Sequence, residues 1–398
     1  MNKKTIRDLS DGELRGKRAL VRVDFNVPIE NGRVGDDTRI RAALPTIQGL
    51  LDRGARVVLL SHLGRPKGRP DQKYSLEPVA RRLAELMPKE HVVFVESTDT
   101  DEAIKETHEP SARVVLLENT RFLGGEEKND ERLSRGLAEL GDLYVNDAFG
   151  SAHRAHASTE GIAHYLKPAV AGLLMQKELD YLGAALENPT RPFVAVLGGA
   201  KISGKIDVIE QLLPKVDKLV IGGAMACTFF KAMGLETGKS LVEADRVEMA
   251  KDLLKRCGNK LVLPTDASVA PSLELASGAH AVSRDAIPPN EAMFDIGPDT
   301  VKSYTRAIAT AKTILWNGPM GVFETKPFDA GTNAVAQAMA DATAKGATTI
   351  VGGGDSAAAV TDAGLDRRMS HVSTGGGASL EFLEGKPLPG VDALEDRR

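Results

Sequence analysis

Short, continuously apolar segments alternate with longer helix-like stretches along the whole chain, and this alternation constrains the fold more than any other feature. Segments of four or five apolar residues are typical of strands that are buried on both faces of a parallel sheet. Their alternation with helices predicts doubly wound α/β architecture. The predicted strands are residues 19–23, 56–60, 91–95, 113–117, 142–145, 193–197, 218–221, 260–263, 313–315, 348–351 and 370–372.

The length of the chain predicts two domains. A single hydrophobic core rarely serves as many as 398 residues. A helical pattern near the middle is followed by a turn-rich segment, 188–192, which contains two prolines. We therefore predict an N-terminal domain over residues 1–175, an interdomain helix over 176–187 and a C-terminal domain over 188–379.

Charge and composition exclude several classes of protein. The formal net charge is −4 at pH 7, which argues against a nucleic-acid or membrane-surface protein. No apolar stretch approaches the roughly 20 residues of a membrane-spanning helix. No apolar run follows Lys3 and Lys4, as it would in a signal peptide. The only two cysteines have no metal-ligand spacing and are too few for a disulfide framework. We therefore expect two reduced thiols and a protein of the cytoplasm.

Charged and polar residues follow the predicted strands of the first half. In open α/β sheets, ligands bind beyond the carboxyl ends of the strands, so these endings mark a candidate site. Several arginines meet there, and converging arginines bind phosphate or carboxylate through bidentate hydrogen bonds. The first half therefore predicts a site for a small, multiply anionic substrate. Its candidate residues are Asp24, Phe25, Asn26, Arg39 (in the loop after the first strand), His62, Leu63, Gly64, Arg65, Arg121 and Arg154.

Glycines follow the predicted strands of the second half instead. A glycine between a strand and a helix lets backbone N–H groups approach an anion, and the helix N-terminus adds a favourable dipole. One such turn is often only a matter of backbone geometry, but several in one domain indicate a nucleotide with its phosphates. The glycine-containing turns are residues 198–201, 222–223, 352–356 and 375–377.

The first of these turns nearly matches a Walker A loop. Residues 199–205 have its spacing, but Ile206 stands where the motif needs Ser or Thr to hold magnesium. The same stretch also has the pattern of a helix start. If it is helical, Lys201 and Lys205 lie on one face near the N-terminus, where two cations suit the oxygens of a transferring phosphate.

The third turn nearly matches a dinucleotide fingerprint. Residues 352–357 fit its loose glycine pattern, but the next strand ends in Ser373 and Thr374, where a nicotinamide site needs an acidic residue. Asp355 lies beside these glycines, where a carboxylate can hold Mg²⁺ against phosphates. Glu324, in the loop after another strand, is placed to accept hydrogen bonds from ribose hydroxyls.

Seven long stretches resemble phosphoglycerate kinases, in the order in which that family has them. Together they span nearly the whole chain, which has about the family's length. Gly204 and Cys227 depart from the family's usual residues without removing a phosphate-binding charge. The resemblance implies two Rossmann-like domains joined by a helical hinge, and a monomer. The matching stretches are 22–28, 61–66, 146–158, 196–201, 316–324, 352–356 and 373–385.

The resemblance also implies roles for these residues. The candidate residues of the first domain would bind 3-phosphoglycerate or 1,3-bisphosphoglycerate, and the second domain would bind Mg-ADP or Mg-ATP, with Asp355 at the magnesium ion. Arg39, Lys201, Gly375 and Gly376 would stabilise the transferring phosphoryl group. A tail over about residues 380–398 would pack back on the first domain. The nucleotide-binding residues would be Gly199, Ala200, Lys201, Lys205, Asn317, Glu324, Gly353, Gly354, Asp355 and Ser356.

The implied reaction is direct in-line transfer of the acyl phosphate of 1,3-bisphosphoglycerate to ADP, a reversible step of glycolysis and gluconeogenesis. No general base is needed, because a carboxylate and an ADP phosphate are already ionised, so positioning and charge neutralisation dominate. The substrates would lie on separate domains, and domain closure would bring them together. Three alternatives stay open: a Walker-type NTPase, a nicotinamide dehydrogenase, and a catalytically weak ATP- and anion-binding scaffold of the same fold.

Overall fold

The computed structural model describes residues 2–97, 100–109 and 111–397. They form two compact units, a first unit of Met1–Asp180 with Pro387–Arg398 and a second unit of Tyr181–Lys386. Each unit contains a six-stranded sheet with helices between its strands, so the predicted class of two doubly wound parallel-sheet domains is confirmed. Within the described ranges, no helix is long and apolar enough to cross a membrane.

The first unit contains eight described strands and five helices before the unit boundary. The strands are β1 (Arg18–Arg22), β2 (Ile29–Glu30), β3 (Arg33–Val34), β4 (Arg56–Leu60), β5 (Val92–Val95), β6 (Val114–Leu117), β7 (Leu143–Asn146) and β8 (Ala169–Ala171). The helices are α1 (Asp11–Leu14), α2 (Thr38–Asp52), α3 (Glu77–Leu86), α4 (Thr100–His108) and α5 (Glu131–Ala138).

The main sheet of the first unit has the order β5-β6-β4-β1-β7-β8, and every neighbouring pair is parallel. Every residue of β1, β6 and β7 is buried, as their continuous apolar pattern predicts. The sequence did not predict β8, because three residues are too few to form a recognisable pattern. The hairpin of β2 and β3 forms a separate antiparallel ladder.

Helix α6 (Leu173–Glu187) contains the boundary between the units, which falls after Asp180. The sequence predicted this helix from residue 176. It begins three residues earlier because two side chains accept the N–H groups of its first turn. The Leu173 N–H donates to Thr46 Oγ1 at 2.8 Å, and the Leu174 N–H donates to Asp147 Oδ1 at 2.9 Å.

The strands of the second unit are β9 (Phe193–Leu197), β10 (Lys218–Ile221), β11 (Leu261–Val262), β12 (Asp266–Ala270), β13 (His280–Ser283), β14 (Ala292–Ile296), β15 (Thr313–Asn317), β16 (Thr348–Gly352) and β17 (His371–Val372). Six of them form a parallel sheet in the order β11-β10-β9-β15-β16-β17. The helices are α7 (Ile206–Leu212), α8 (Met225–Ala232), α9 (Val247–Cys257), α10 (Pro298–Ala309), α11 (Ala330–Ala344), α12 (Gly354–Asp362) and α13 (Gly377–Leu383).

A second, antiparallel sheet of the second unit was not predicted. It has the order β13-β12-β14. Its strands are rich in alanine, serine and aspartate, so they lack the continuous apolar runs that mark the strands of the parallel sheets. Residues 266–296, which contain these three strands, were therefore not predicted to form a sheet.

The end of the chain packs within the first unit and includes helix α14 (Pro389–Asp392). The side-chain amide of Asn146, at the end of β7, donates to Gly390 O at 3.0 Å. The Lys4 N–H donates to Glu395 O at 2.8 Å, which ties the two termini together. A Cβ atom at Gly390 would lie 3.0 Å from the Ala152 backbone, so this position requires the smallest residue.

Candidate functional site

The carboxyl ends of four neighbouring strands form one edge of the parallel sheet in the first unit. β6, β4, β1 and β7 lie side by side in this order. The residues that follow them include Arg121, His62, Asp24 and Arg154, respectively. Strand topology therefore brings the predicted charged residues to one edge of the sheet, because parallel neighbours present their carboxyl ends at the same edge.

Asp24 and Arg39 form an ion pair at this edge. Arg39 Nη1 lies 3.2 Å from Asp24 Oδ1 and also donates to the carbonyl oxygen of Asn26 at 3.1 Å. The prediction that Arg39 lies in a loop is wrong, because it belongs to the first turn of α2. This helix begins early because the Thr38 N–H donates to Asp36 Oδ1 at 2.9 Å.

The electrostatic environment keeps Asp24 ionised. Burial opposes its charge, but the guanidinium groups of Arg39 and Arg22 favour it, so the pKa of the Asp24 carboxyl lies below its usual value. The same carboxylate accepts the Asn26 N–H at 3.2 Å and the Ser151 hydroxyl at 3.4 Å. Asp24 is thus a fixed acceptor among positive groups, suited to a substrate hydroxyl beside an anionic group.

His62 is buried beside a second arginine. Arg22 Nη2 lies 3.1 Å from His62 Nδ1, and the side chain of Arg22 is completely buried. Burial lowers the pKa of His62 well below its usual value, and Arg22, Arg121 and Arg39 lower it further, although Asp24 opposes them. The imidazole is therefore neutral near pH 7.

Arg121 and Arg154 extend the positive edge. Arg121 is 5% exposed, and its Nη1 donates to Gly64 O at 2.7 Å. Its Nε lies 3.4 Å from Glu127 Oε1 without making a hydrogen bond. Burial lowers the pKa of Arg121, and the nearby charge of Arg154 adds to this effect. This repulsion would be relieved by an anion bound between them.

The predicted residues Phe25 and Leu63 have a different position from the charged groups. Their side chains are buried in the core. The Phe25 N–H donates to Ser61 Oγ at 2.9 Å, and the Leu63 N–H donates to Asn119 Oδ1 at 3.2 Å. These contacts favour a supporting role, and direct contact with a substrate stays a prediction.

The loop after β4 also carries Gly64 and Arg65. The Gly64 N–H donates to Asn26 Oδ1 at 2.9 Å, which links the ends of β1 and β4. Gly64 has a φ of +60°, and a Cβ atom there would lie 2.3 Å from the Tyr74 ring. Arg65 is exposed to solvent at the same edge, where its guanidinium can reach an anion.

Arg22 also belongs to this cluster of charged residues, although the sequence did not predict it. It falls inside the apolar run that predicted β1, where a charged residue buried on both faces of a sheet is unusual. A charged residue within a continuously apolar run was therefore the feature of the sequence that could have identified Arg22. The contact joins Arg22, on β1, to His62, in the loop after β4, so local sequence cannot reveal it.

In the second unit, several of the predicted glycines pack against one another. A Cβ atom at Gly198 would lie 2.1 Å from Pro319 O, one at Gly318 would lie 2.2 Å from Gly198 O, and one at Gly223 would lie 2.4 Å from Gly199 O. These glycines let three strand-following turns approach closely. Their presence is explained by backbone packing, without reference to a ligand.

Half-buried Lys205 and buried Asn317 form a polar pair at these turns. Lys205 Nζ donates to Asn317 Oδ1, and the Asn317 Nδ2 atom is buried without a hydrogen-bond partner. Burial lowers the pKa of Lys205 to about 8, although Asp355 and Glu384 oppose the shift. An unpaired buried donor is costly, so this amide fits a ligand acceptor.

The stretch from Lys201 to Lys205 is not α-helical, so the condition under which the two lysines would share one helix face is not met. A short 3₁₀ turn, Ile202–Gly204, separates them, and α7 begins only at Ile206. Lys201 has an extended backbone and an exposed side chain, and its neighbour Ala200, at the turn after β9, is also exposed. The turn arises because Glu243 accepts the Ser203 N–H at 3.0 Å and the Ser203 hydroxyl.

The turn between β16 and α12 carries four predicted residues. Gly353 has a φ of +89°, and a Cβ atom there would lie 3.2 Å from Asn317 Nδ2. Gly354 and Asp355 are exposed in the first turn of α12, where backbone N–H groups lack helical partners. Ser356 is fully buried, and its hydroxyl accepts the Gly318 N–H at 2.6 Å, so it holds the turns together.

The remaining predicted residues lie in two further turns of the second unit. Glu324 is exposed in the loop after β15. Gly375 is buried, and its N–H donates to Ser373 Oγ at 3.1 Å. Gly376 has a φ of +52° and precedes α13, so its backbone requires glycine. Whether these residues touch a nucleotide stays a prediction.

The described residues contain no group of three or more His, Cys, Asp or Glu side chains that could hold a metal ion. A carboxylate that acts alone can still hold Mg²⁺ when the nucleotide supplies phosphate oxygens. Asp355, exposed beside Gly353 and Gly354, fits this arrangement. The ion would therefore arrive with the nucleotide.

Comparison with known proteins gives a consistent result. The family model of phosphoglycerate kinase matches residues 8–386. Phosphoglycerate kinase of Chloroflexus aggregans is 59% identical over 403 residues, with 100% of both chains covered. That of Chlorobium luteolum is 57% identical over 398 residues, with 99% of this chain and 100% of the relative covered.

Solved structures agree with the sequence relatives. The structure of phosphoglycerate kinase from Coxiella burnetii has a TM-score of 0.88 and 44% identity, with 98% of each chain covered. The enzyme structure from Pyrococcus horikoshii has a TM-score of 0.84 and 33% identity, again with 98% of each chain covered. The resemblance seen in the sequence is confirmed, and the chain belongs to the phosphoglycerate kinase family.

Proposed function

We propose that the protein catalyses reversible, magnesium-dependent transfer of the acyl phosphate of 1,3-bisphosphoglycerate to ADP, giving 3-phosphoglycerate and ATP. The observation that carries the proposal is full-length family membership, and two clusters of side chains and turns suited to anionic ligands support it. One is the arginine-rich edge of the first unit, and the other is the set of glycine turns around Lys205 and Asn317 in the second unit.

The edge of the first unit would bind the phosphoglycerate. Arg65, Arg121 and Arg154 supply positive charge for a phosphate, and Arg121 and Arg154 repel each other in its absence. Asp24 would accept a hydrogen bond from the substrate hydroxyl, while Arg39, paired with it, would reach the acyl end. A bound trianion would neutralise this concentration of charge.

The turns of the second unit would bind the nucleotide. The buried Asn317 amide and the Lys205 ammonium group lie together, and both are donors suited to phosphate oxygens. The first turn of α12 adds backbone N–H groups, and Asp355 would hold Mg²⁺ with the phosphates. Lys201 and Glu324 are exposed and would approach the transferring group and the ribose, respectively.

Transfer would be direct, because both acceptors are already ionised and the protein need only position them and neutralise charge. Arg39, Lys201 and the Gly375–Gly376 turn would stabilise the transferring group. Each unit would hold one substrate, so the two bound substrates must meet for reaction. Turnover by either unit alone would refute this division of roles.

We also propose that the protein acts as a monomer in the cytoplasm. Cys227 and Cys257 are both free and buried, which is compatible with a reducing compartment. Sedimentation at working concentration tests the oligomeric state, and a dimer at that concentration would contradict the proposal.

The test of function is ATP formation from ADP, Mg²⁺ and 1,3-bisphosphoglycerate. We expect the natural chain to turn over, and Arg39→Ala and Lys201→Ala to lose roughly 10²-fold or more in rate, because each removes a charge from the transition state. The matched controls are Arg135→Ala and Lys251→Ala, which remove exposed cations on α5 and α9 and should keep most of the activity.

If the natural chain is folded but does not turn over, the proposal is wrong. The protein would then be an anion- and nucleotide-binding scaffold that shares ancestry with the kinases but not their activity. Equal losses in the controls would also defeat the assignment of Arg39 and Lys201 to the reacting centre, because the effect would then follow net charge.

A further inference from the structure

Arg22 is a fully buried cation to which the proposed reaction gives no task. It lies at the end of β1 and is 0% exposed. Its Nε donates to Ser158 Oγ at 2.8 Å, its Nη1 donates to Val23 O, and its Nη2 lies 3.1 Å from His62 Nδ1. Burial of a charge is costly unless it is hydrogen-bonded, and here each of the three nitrogen atoms has a partner.

The contact between Arg22 and His62 determines the protonation state of the ring. A guanidinium group has donors and no acceptor, so His62 Nδ1 must be the acceptor of this hydrogen bond. A neutral imidazole that accepts at Nδ1 carries its proton on Nε2. A ring protonated at Nδ1 would place two donors against each other.

Arg22 is itself held in place by a buried chain of contacts. The Ser158 hydroxyl donates to Glu126 Oε1 at 2.5 Å, and the Ser158 N–H donates to Glu126 Oε2 at 3.0 Å. Glu126 is also 0% exposed. The hydroxyl of Ser158 therefore accepts from Arg22 while it donates to a carboxylate, so the direction of every hydrogen bond up to His62 is fixed.

The charges around His62 favour the same neutral state. Arg22, Arg121 and Arg39 face the ring as cations, and Asp24 faces it as the one anion among the groups that influence it most. Burial and these guanidinium groups lower the pKa of His62 well below its usual value. Asp24 is already paired with Arg39, which limits its effect on the ring.

We propose that Arg22 is a positioning residue that holds His62 as the neutral tautomer protonated at Nε2, so that His62 offers the bound phosphoglycerate a hydrogen-bond donor rather than a positive charge. The identity of the ligand rests on the proposed function, whereas the tautomer does not. Positive charge for the substrate then comes from arginines, which stay protonated at every physiological pH.

The tautomer is tested on the ligand-free natural protein by NMR of ¹⁵N-labelled histidine, with His62 assigned from the spectrum of His62→Gln. We expect an unprotonated, acceptor-type shift at Nδ1 and a protonated shift at Nε2, unchanged from about pH 6 to pH 8. A proton on Nδ1, or an imidazolium ion in this range, would overturn the proposal whatever the protein catalyses.

The donor role is tested by adding 3-phosphoglycerate to the same sample. The Nε2 and attached proton resonances of His62 should shift as the ligand binds. Binding without such a shift would refute the donor role. If the ligand does not bind at all, the proposed function fails, while the tautomer result still stands on its own measurement.

The role of Arg22 is tested with Arg22→Met, which removes the guanidinium group. We expect the difference between the two ring nitrogens to collapse towards a tautomer mixture, and KM for 3-phosphoglycerate to rise about tenfold, with KM for ATP unchanged. A merely structural residue would change stability and leave the tautomer alone, and that result would overturn the proposal.

A second pair of variants keeps the test decisive if Arg22→Met fails to fold. His62→Gln can place an amide donor near the Nε2 position, whereas His62→Asn places it near Nδ1. We expect KM for 3-phosphoglycerate to rise less in His62→Gln than in His62→Asn. Equal or reversed effects would contradict a donor at Nε2.

Discussion

Replacement of Asp147 by Asn should make the protein more stable at neutral pH. Asp147 follows β7 and is completely buried. Its Oδ1 accepts the N–H groups of Leu174 and Met175 in the first turn of α6, at 2.9 and 3.1 Å, while its Oδ2 has no hydrogen-bond partner. An amide oxygen can replace Oδ1 in both contacts without the cost of a buried charge.

The magnitude follows from the pKa of this carboxyl, which burial raises from 3.8 to about 6 despite the opposing effects of the Thr46 hydroxyl and of the N–H donors of Met175 and Leu174. A raised folded-state pKa means that folding favours the protonated form. Stability is therefore highest below pH ~4 and falls as the pH rises through 6, by about 1.36 kcal/mol per pKa unit, or about 3 kcal/mol in all. This is an upper limit for Asp147→Asn, because the new amide NH₂ also needs an acceptor.

The assay is amide hydrogen exchange in β7 and the start of α6 between about pH 4 and pH 8, because it reports the stability of the unit that carries Asp147. The advantage of Asp147→Asn should be absent near pH 4 and largest above pH 6. Asp147→Ala should lose stability at every pH, since it leaves two N–H groups unpaired.

Asp142→Asn is the matched control, because Asp142 lies directly before β7 and Asp147 lies directly after it. Asp142 pairs with Arg18 at 2.9 Å, and although partial burial opposes its charge, these contacts lower its pKa. Its contribution to stability is present above the usual carboxyl pKa and is lost as the pH falls, so Asp142→Asn should be less stable at neutral pH. If Asp147→Asn behaves like Asp142→Asn, the argument from burial is refuted.

Three further outcomes are measurable by steady-state kinetics. Burial lowers the pKa of Lys205 to about 8, so KM for ATP should rise as the pH passes 8. Lys205→Arg should remove that rise, because arginine stays protonated, and an unchanged rise would point to another group. Gly353→Ala forces a Cβ atom to 3.2 Å from Asn317 Nδ2 at a φ of +89°, so KM for ATP should rise while KM for 3-phosphoglycerate does not. In Gly64→Ala the new Cβ atom would lie 2.3 Å from the Tyr74 ring, so KM for 3-phosphoglycerate should rise. Adding Tyr74→Ala to this variant should lower KM again in part. If KM stays high, the positive φ of residue 64 is the cause and the contact with the ring is not.

The parallel sheets were predictable because burial on both faces leaves a mark in local sequence. All five residues of β9 and of β1 are buried, but β1 carries a buried charged side chain at each end, Arg18 and Arg22, whereas β9 is apolar throughout. The antiparallel strand β12 has no such mark, since its buried positions include Asp266, whose carboxylate accepts the N–H groups of Asp299 and Thr300 at the start of α10. A buried capping carboxylate looks like a loop residue in a one-dimensional pattern.

The residues of the candidate site were easier to predict from the sequence than their arrangement in space. Strand topology was enough to bring Asp24, His62 and Arg121 to one edge, because the ends of parallel neighbours coincide. The turn that separates Lys201 from Lys205 depends on Glu243, which lies far along the chain. Contacts of this range set local backbone conformation, and local patterns contain no information about them.

Glycines show most clearly what a sequence leaves undetermined, because one residue type serves three physical purposes here. Gly198 is needed for packing, since its Cβ atom would lie 2.1 Å from Pro319 O, and Gly376 is needed for its φ of +52°. Gly354 has neither constraint: its φ is not positive, and nothing lies within 4 Å of a Cβ atom built on it. A glycine that the protein itself does not require, in the first turn of α12 and beside Asp355, is explained if a ligand fills the space next to its backbone. The free space at Gly354 is therefore stronger support for a phosphate position than the crowded turns at Gly198 and Gly223, although all of them look alike in the sequence.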